Sequence, residues 1–156
     1  MQKHKIQIYT DGAAKGNPGR AGWGAVFLIG KDIFEIGDGV EHATNNQMEL
    51  TAPIEALKYI KSNMSKTAFD IAIVSDSKYV ILGITEWIFN WQKNNWRNAA
   101  KKPVVNRELW EELYELTQEL KPNWVYVKGH NGHEHNERAD MIATSFAEGN
   151  PVGLKK

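Results

Sequence analysis

Two runs rich in β-branched residues each close on an aspartate. Lys5-Ile-Gln-Ile-Tyr-Thr-Asp11 and Ile71-Ala-Ile-Val-Ser-Asp76 both read as strands. Between them Leu50, Ile54, Leu57, Ile60 and Met64 recur at helical spacing, behind a Thr44 or Asn45 cap. Open α/β sheets bind ligands beyond the carboxyl ends of their strands, so Asp11 and Asp76 are expected to meet there. Two more acids sit near helix starts: Glu49 in Thr44-Asn-Asn-Gln-Met-Glu49-Leu50, and Asp140 in the last helix. Converging carboxylates repel one another and carry raised pKa values, unless a hard divalent cation joins them.

The remaining segments complete a mixed sheet. After a glycine-rich turn over Gly12–Gly22, Trp23–Ile29 and Ile33–Val40 predict a hairpin around Gly30-Lys31-Asp32. Pro53 removes a backbone donor inside the first helix and is expected to bend it. Phe69–Ser75 predicts the next strand, with helical segments over Lys78–Leu82 and Thr85–Asn94. The helix Arg107–Leu120 carries Leu109, Leu113, Leu116 and Leu120 as its stripe and stops before Pro122. Trp124–Lys128 is the last strand and His133–Ala147 the last helix. Hairpins imply antiparallel pairing and βαβ units parallel pairing. The expected fold is therefore α/β, a mixed five-stranded sheet flanked by helices. Residues 1–148 are expected to form a single domain and 149–156 a flexible tail.

Cysteine is absent, which excludes a disulfide framework, a thiolate zinc site and a cysteine nucleophile. No stretch approaches a membrane span, and the N-terminus leads straight into a strand. A cytoplasmic protein with no membrane partner is expected. Formal net charge is zero, yet Asn90–Arg107 holds Lys93, Arg97, Lys101, Lys102 and Arg107 with no acid. Trp87, Trp91 and Trp96 interleave with these cations, a mixture suited to phosphate anchoring and to sugar or base stacking. The plainer alternative is a solvated face, with Trp87 and Trp91 packing onto the core as an i,i+4 pair.

Five segments in order resemble the motifs of type 1 ribonuclease H. They are Tyr9-Thr-Asp11-Gly12, Gly16-Asn17-Pro18-Gly19, Thr44-Asn45-Asn46-Gln47-Met48-Glu49-Leu50, Ser75-Asp76-Ser77-Lys78-Tyr79 and the run from Lys128 to Asp140. The likeness covers about residues 5–147. It implies an endonuclease that hydrolyses the RNA strand of RNA–DNA hybrids, leaving 5′-phosphate and 3′-hydroxyl ends. It also implies Mg2+ as cofactor, two ions with substrate and Mn2+ as a substitute, held by Asp11, Glu49, Asp76 and Asp140. His130, in the glycine-bounded loop before the last helix, is assigned to proton transfer or product release.

By the same resemblance Asn17, Asn45 and Lys78 are candidates for the minor groove and its 2′-hydroxyls. Lys78 stands where many relatives carry glutamine. Thr44 and Asn106 resemble positions that seat a DNA phosphate. Trp87, Trp91, Lys93, Trp96, Arg97, Lys101 and Lys102 belong to a basic handle, thinned by Gln92, Asn94 and Asn95. The predicted enzyme is a monomer whose partner is the hybrid duplex. Three alternatives remain at this point. One is a DNA-acting nuclease of the same fold, transposase-, integrase- or resolvase-like. A second is a non-catalytic hybrid-binding module. The third is a zinc cluster of His130, His133 and His135, disfavoured because a structural zinc site usually needs four ligands.

Overall fold

The computed structural model describes residues 4–64, 69–129 and 133–156. In chain order the elements are β1 (His4–Gly16), β2 (Gly19–Ile29), β3 (Asp32–Ala43), α1 (Asn45–Asn63), β4 (Phe69–Ser75) and α2 (Lys78–Leu82). A π-helical turn (Gly83–Trp87) then joins α2 to α3 (Ile88–Lys93), followed by α4 (Arg107–Leu120), β5 (Asn123–Tyr126) and α5 (Glu134–Ala147). The five strands form one sheet in the order β3-β2-β1-β4-β5. Pairing is antiparallel from β3 to β1 and parallel from β1 to β5, the mixed sheet expected from the sequence.

Each face of the sheet is covered by helix. Ile6, Ile8, Phe27, Ile71 and Ile73 pack with Leu50, Ile54 and Leu57 of α1 and with Trp110 and Leu113 of α4. Burying side chains of this size contributes about 1.5–3 kcal/mol each. On the opposite face Ala139 and Ile142 of α5 lie against Val26.

The glycine-rich segment departs from expectation. Instead of a turn over Gly12–Gly22, β1 and β2 pair without a break from Ile6↔Ile29 to Gly16↔Gly19. Asp11, opposite Gly24, therefore lies inside β1 and not at its end. The reason is steric. A Cβ on Gly12 would collide with the backbone of Met48 and Glu49, and one on Gly24 would lie 2.6 Å from Ile142. The glycines are points where α1 and α5 press onto the sheet.

Other departures have similar causes. The two helical segments after Asp76 are one path with a wide turn at Gly83, whose bare Cα faces the Trp110 ring. Trp110, not Leu109, is the fully buried anchor of α4. Pro53 lies within α1, which runs on through it to Asn63, and removes the N–H that would otherwise reach the Glu49 carbonyl.

Residues 149–156, for which the sequence predicts a flexible tail, are tied to β3. The Glu35 N–H donates to the Lys155 carbonyl at 2.7 Å, and the Lys155 N–H donates to Glu35 Oε1 at 2.8 Å. Arg138 clamps the same carboxylate through Nε and Nη2 at 2.7 and 2.9 Å, and Nη2 also donates to the Gly153 carbonyl at 2.9 Å. The Glu35 side chain is only 5% exposed, so its charge depends on these donors.

The Arg138 hydrogen bonds hold the Glu35 carboxyl below its ordinary value. A depressed carboxylate stabilises the fold above the unfolded-state pKa and loses that contribution as pH falls through the folded one. Arg138→Ala is expected to lower stability by about 2–3 kcal/mol at pH 7. In urea melts the gap from wild type should close below about pH 4, as Glu35 becomes protonated.

Candidate active site

Three of the four predicted acids converge. One carboxylate oxygen from each of Asp11 (β1), Glu49 (α1) and Asp76 (just after β4) lies within 4.8 Å of the others. Asp140 of α5 stands close enough for its charge to act on Asp11. Adjacent parallel strands carry Asp11 and Asp76, since the pairing of β1 with β4 ends at Thr10↔Ser75. Glu49 reaches them because α1 starts beside Gly12, whose N–H donates both to Glu49 Oε1 and to Asp11 Oδ1. A capping box fixes that start. Thr44 Oγ1 accepts from the Gln47 N–H at 3.1 Å, and Gln47 Oε1 accepts from the Thr44 N–H at 2.8 Å.

Asp11 and Glu49 are both buried. Burial, a hydrogen bond to Glu49 and the charges of Glu49, Asp76 and Asp140 push the Asp11 carboxyl up to about 11. Burial likewise raises Glu49, against the opposing hydrogen bonds from Asp11, Gly12 and Ser77. Left to themselves, these acids hold a proton between them at neutral pH. Clustered hard oxygen donors of this kind fit a divalent cation of the magnesium or calcium type, which would restore their charge.

The predicted substrate contacts fall into two groups. Asn17, Thr44 and Asn45 gather where the β1–β2 turn meets α1, with the Asn45 N–H donating to Asn17 Oδ1 at 3.0 Å. Lys78, at the start of α2, places its Nζ 5.7 Å from the Tyr126 ring centroid. The second group is the basic segment. Trp91 lies 6.1 Å from both Trp87 and Trp96 and 5.3 Å from Trp110, ring to ring. Trp91 and Trp96 pack onto the core while Trp87 stays exposed, so the i,i+4 pair divides between the two expected roles. Lys93, Arg97, Lys101 and Lys102 are exposed, and an open cleft runs along Trp87, Trp91, Asn94 and Arg97.

Asn106 behaves unexpectedly. It occupies the cap position of α4 in a left-handed conformation, φ 66°, and makes no capping hydrogen bond. Its Nδ2 donates instead to the Tyr79 hydroxyl at 3.2 Å, which also accepts from Trp110 Nε1 at 3.2 Å. Tyr79 and Trp110 thus bolt the end of the basic segment to α2. His130 lies outside the described residues. His133 occupies the N-cap position of α5 without a side-chain capping hydrogen bond, and the His135 ring lies 5.4 Å from that of Tyr9.

Sequence reasoning passed over Ser77, Gly129 and Asn136. Ser77 caps α2 and is hydrogen-bonded to Glu49. A Cβ on Gly129 would lie 2.6 Å from Asp76 Oδ2, the oxygen that Asn136 Nδ2 also approaches. Gly129 and Asn136 stand in the same motif as Asp140, but nothing in their residue type marks them as neighbours of Asp76.

An open five-stranded mixed sheet with three carboxylates converging above its central strands is the architecture of a metal-dependent phosphodiester hydrolase of the ribonuclease H-like fold. The RNase H family matches residues 3–148, and the chain belongs to that family, enzymes that cleave the RNA strand of RNA–DNA hybrids. It is 47% identical over 144 residues to the ribonuclease H of Erythrobacter litoralis, covering 92% of this chain and 96% of that protein. Among solved structures it is similar to LC9-RNase H1, a type 1 enzyme with the type 2 active-site motif. That match has a TM-score of 0.84 at 27% identity and covers 99% of this chain and 78% of the other. LC11-RNase H1 in complex with an RNA/DNA hybrid shares the fold with a TM-score of 0.70 at 24% identity, over 92% of this chain and 97% of that one.

An acid whose folded pKa is raised opposes folding from its unfolded pKa upward, because the folded state must take up a proton. Asp11→Asn removes this penalty. In chelator the variant is expected to be more stable than wild type by about 1–2 kcal/mol at pH 8. The difference should shrink toward pH 4, which urea denaturation at the two pH values would show.

Proposed function

We propose that Asp11, Glu49, Asp76 and Asp140 hold two Mg2+ ions when a hybrid is bound, with Mn2+ as a substitute. The convergence of half-buried Asp76 on the buried Asp11 and Glu49 carries this reading. Asp11, which meets Glu49 and Asp76 and feels the Asp140 charge, would touch both ions. Glu49 and Asp76 would complete one shell and Asp140 the other. Bound there, the ions supply charge for the attacking water and for the departing 3′-oxygen.

His130 is assigned proton transfer or product release, aiding turnover without being indispensable. Asn17, Asn45 and Lys78 recognise the RNA side of the duplex in this reading, through the minor groove and 2′-hydroxyls. Thr44, Asn106 and the segment Trp87–Lys102 grip the DNA strand. Thr44 and Asn106 would reach a DNA phosphate, and the exposed Trp87 and four cations supply the stacking and charge. The proposed enzyme is a monomer acting in the cytoplasm; among the described residues no helix is long and apolar enough to cross a membrane.

Asp11→Asn is expected to abolish cleavage of a labelled hybrid while a filter-binding assay still detects hybrid binding. His130→Ala should slow turnover by about 10²-fold, within the range of general acid–base contributions. A full-rate Asp11→Asn enzyme would end the proposal.

A further inference from the structure

Asn136 is the third residue of α5 and is buried, with 2% of its surface exposed. Its Nδ2 lies 3.5 Å from Asp76 Oδ2, at the outer edge of hydrogen-bond range. An ionised carboxylate only accepts hydrogen bonds, so chemistry fixes which way the amide faces: nitrogen toward Asp76. The other end, Oδ1, is buried and has no hydrogen-bond partner among the described residues. A buried acceptor left unsatisfied opposes folding, and an apolar side chain of the same shape would avoid that cost. Asn136 also precedes Asp140 by one helical turn, so the two share a face of α5. The residue therefore touches one proposed ligand and stacks beneath another, while holding beside them an acceptor that no described residue uses.

We propose that Asn136 is a positioning residue of the cation site: Nδ2 steadies the Asp76 carboxylate, and Oδ1 accepts a hydrogen from water held on the cation. The inference rests on the reading of the acid cluster as a metal site. Mg2+ keeps several of its waters when bound by protein, and those waters need acceptors beyond the metal's own ligands. Groups that orient metal ligands from behind typically change metal affinity 10–100-fold when removed.

The test uses Asn136→Leu, nearly isosteric and without polar atoms, beside Asn136→Ala. Mg2+ is titrated into each protein without nucleic acid by calorimetry, and melting temperature is followed with and without Mg2+. The expected result is an Mg2+ Kd weakened about tenfold or more. The Mg2+-induced rise in Tm should be smaller, and the metal-free Tm of Asn136→Leu equal to or above that of wild type. An unchanged Mg2+ Kd in Asn136→Leu overturns the inference, and a lower metal-free Tm alongside it would assign Asn136 to packing alone. Should Asn136→Ala fail to fold, the leucine variant decides the matter. If wild type itself binds no Mg2+, the metal reading of the cluster falls, and this inference with it.

Discussion

The burial of Asp11 against Glu49 governs the rest of the molecule. Two carboxyls pressed together out of water are unfavourable: burial raises the pKa of both, and Glu49 raises that of Asp11 further. The fold brings them together nonetheless. Gly12 lets the start of α1 touch β1, the capping box sets where α1 begins, and the parallel pairing of β1 with β4 delivers Asp76 alongside. The hydrophobic core beneath, from Ile6 and Ile8 to Trp110, supplies the stability that such a site consumes. Sites of this kind sacrifice folding energy for reactivity, and a cation returns part of it on binding.

The surface around the cluster has a division of labour. One side, where Asn17, Thr44 and Asn45 meet, is built on short hydrogen bonds between a turn and a helix start. The other side is an aromatic scaffold in which Tyr79, Trp91 and Trp110 hold the basic segment against α2 and α4. The cations on that segment are exposed and flexible in reach, while its rings are fixed. In the proposed reading such a handle would position a duplex through its backbone and leave the chemistry to the acids.

Much of this was legible in the residues alone. Strand–acid junctions indicated that Asp11 and Asp76 would meet at one edge of a sheet, and the helical stripe from Leu50 to Ile60 put Glu49 at the head of α1. What periodicity misread was small residues. Gly12 and Gly22 look like a turn by composition, yet they form strand, because the reason for glycine there is a helix pressing from a distant part of the chain. Trp110 was missed for a related reason: its burial depends on Gly83, far from it in sequence. Asn136 carried no local signal at all, since its meaning lies in what the fold sets beside it. Long-range packing, not local propensity, separates what could be read from what could not.

One comparison bears most directly on the central claim, that the acid cluster works with a divalent cation to cut RNA in a hybrid. The protein is incubated with end-labelled RNA–DNA hybrid, duplex RNA and duplex DNA, each with Mg2+ or with chelator. The account predicts cleavage of the RNA strand of the hybrid alone, dependent on Mg2+, with 5′-phosphate and 3′-hydroxyl ends. Cleavage of duplex DNA with the hybrid left intact, or undiminished cleavage of the hybrid in chelator, would contradict it.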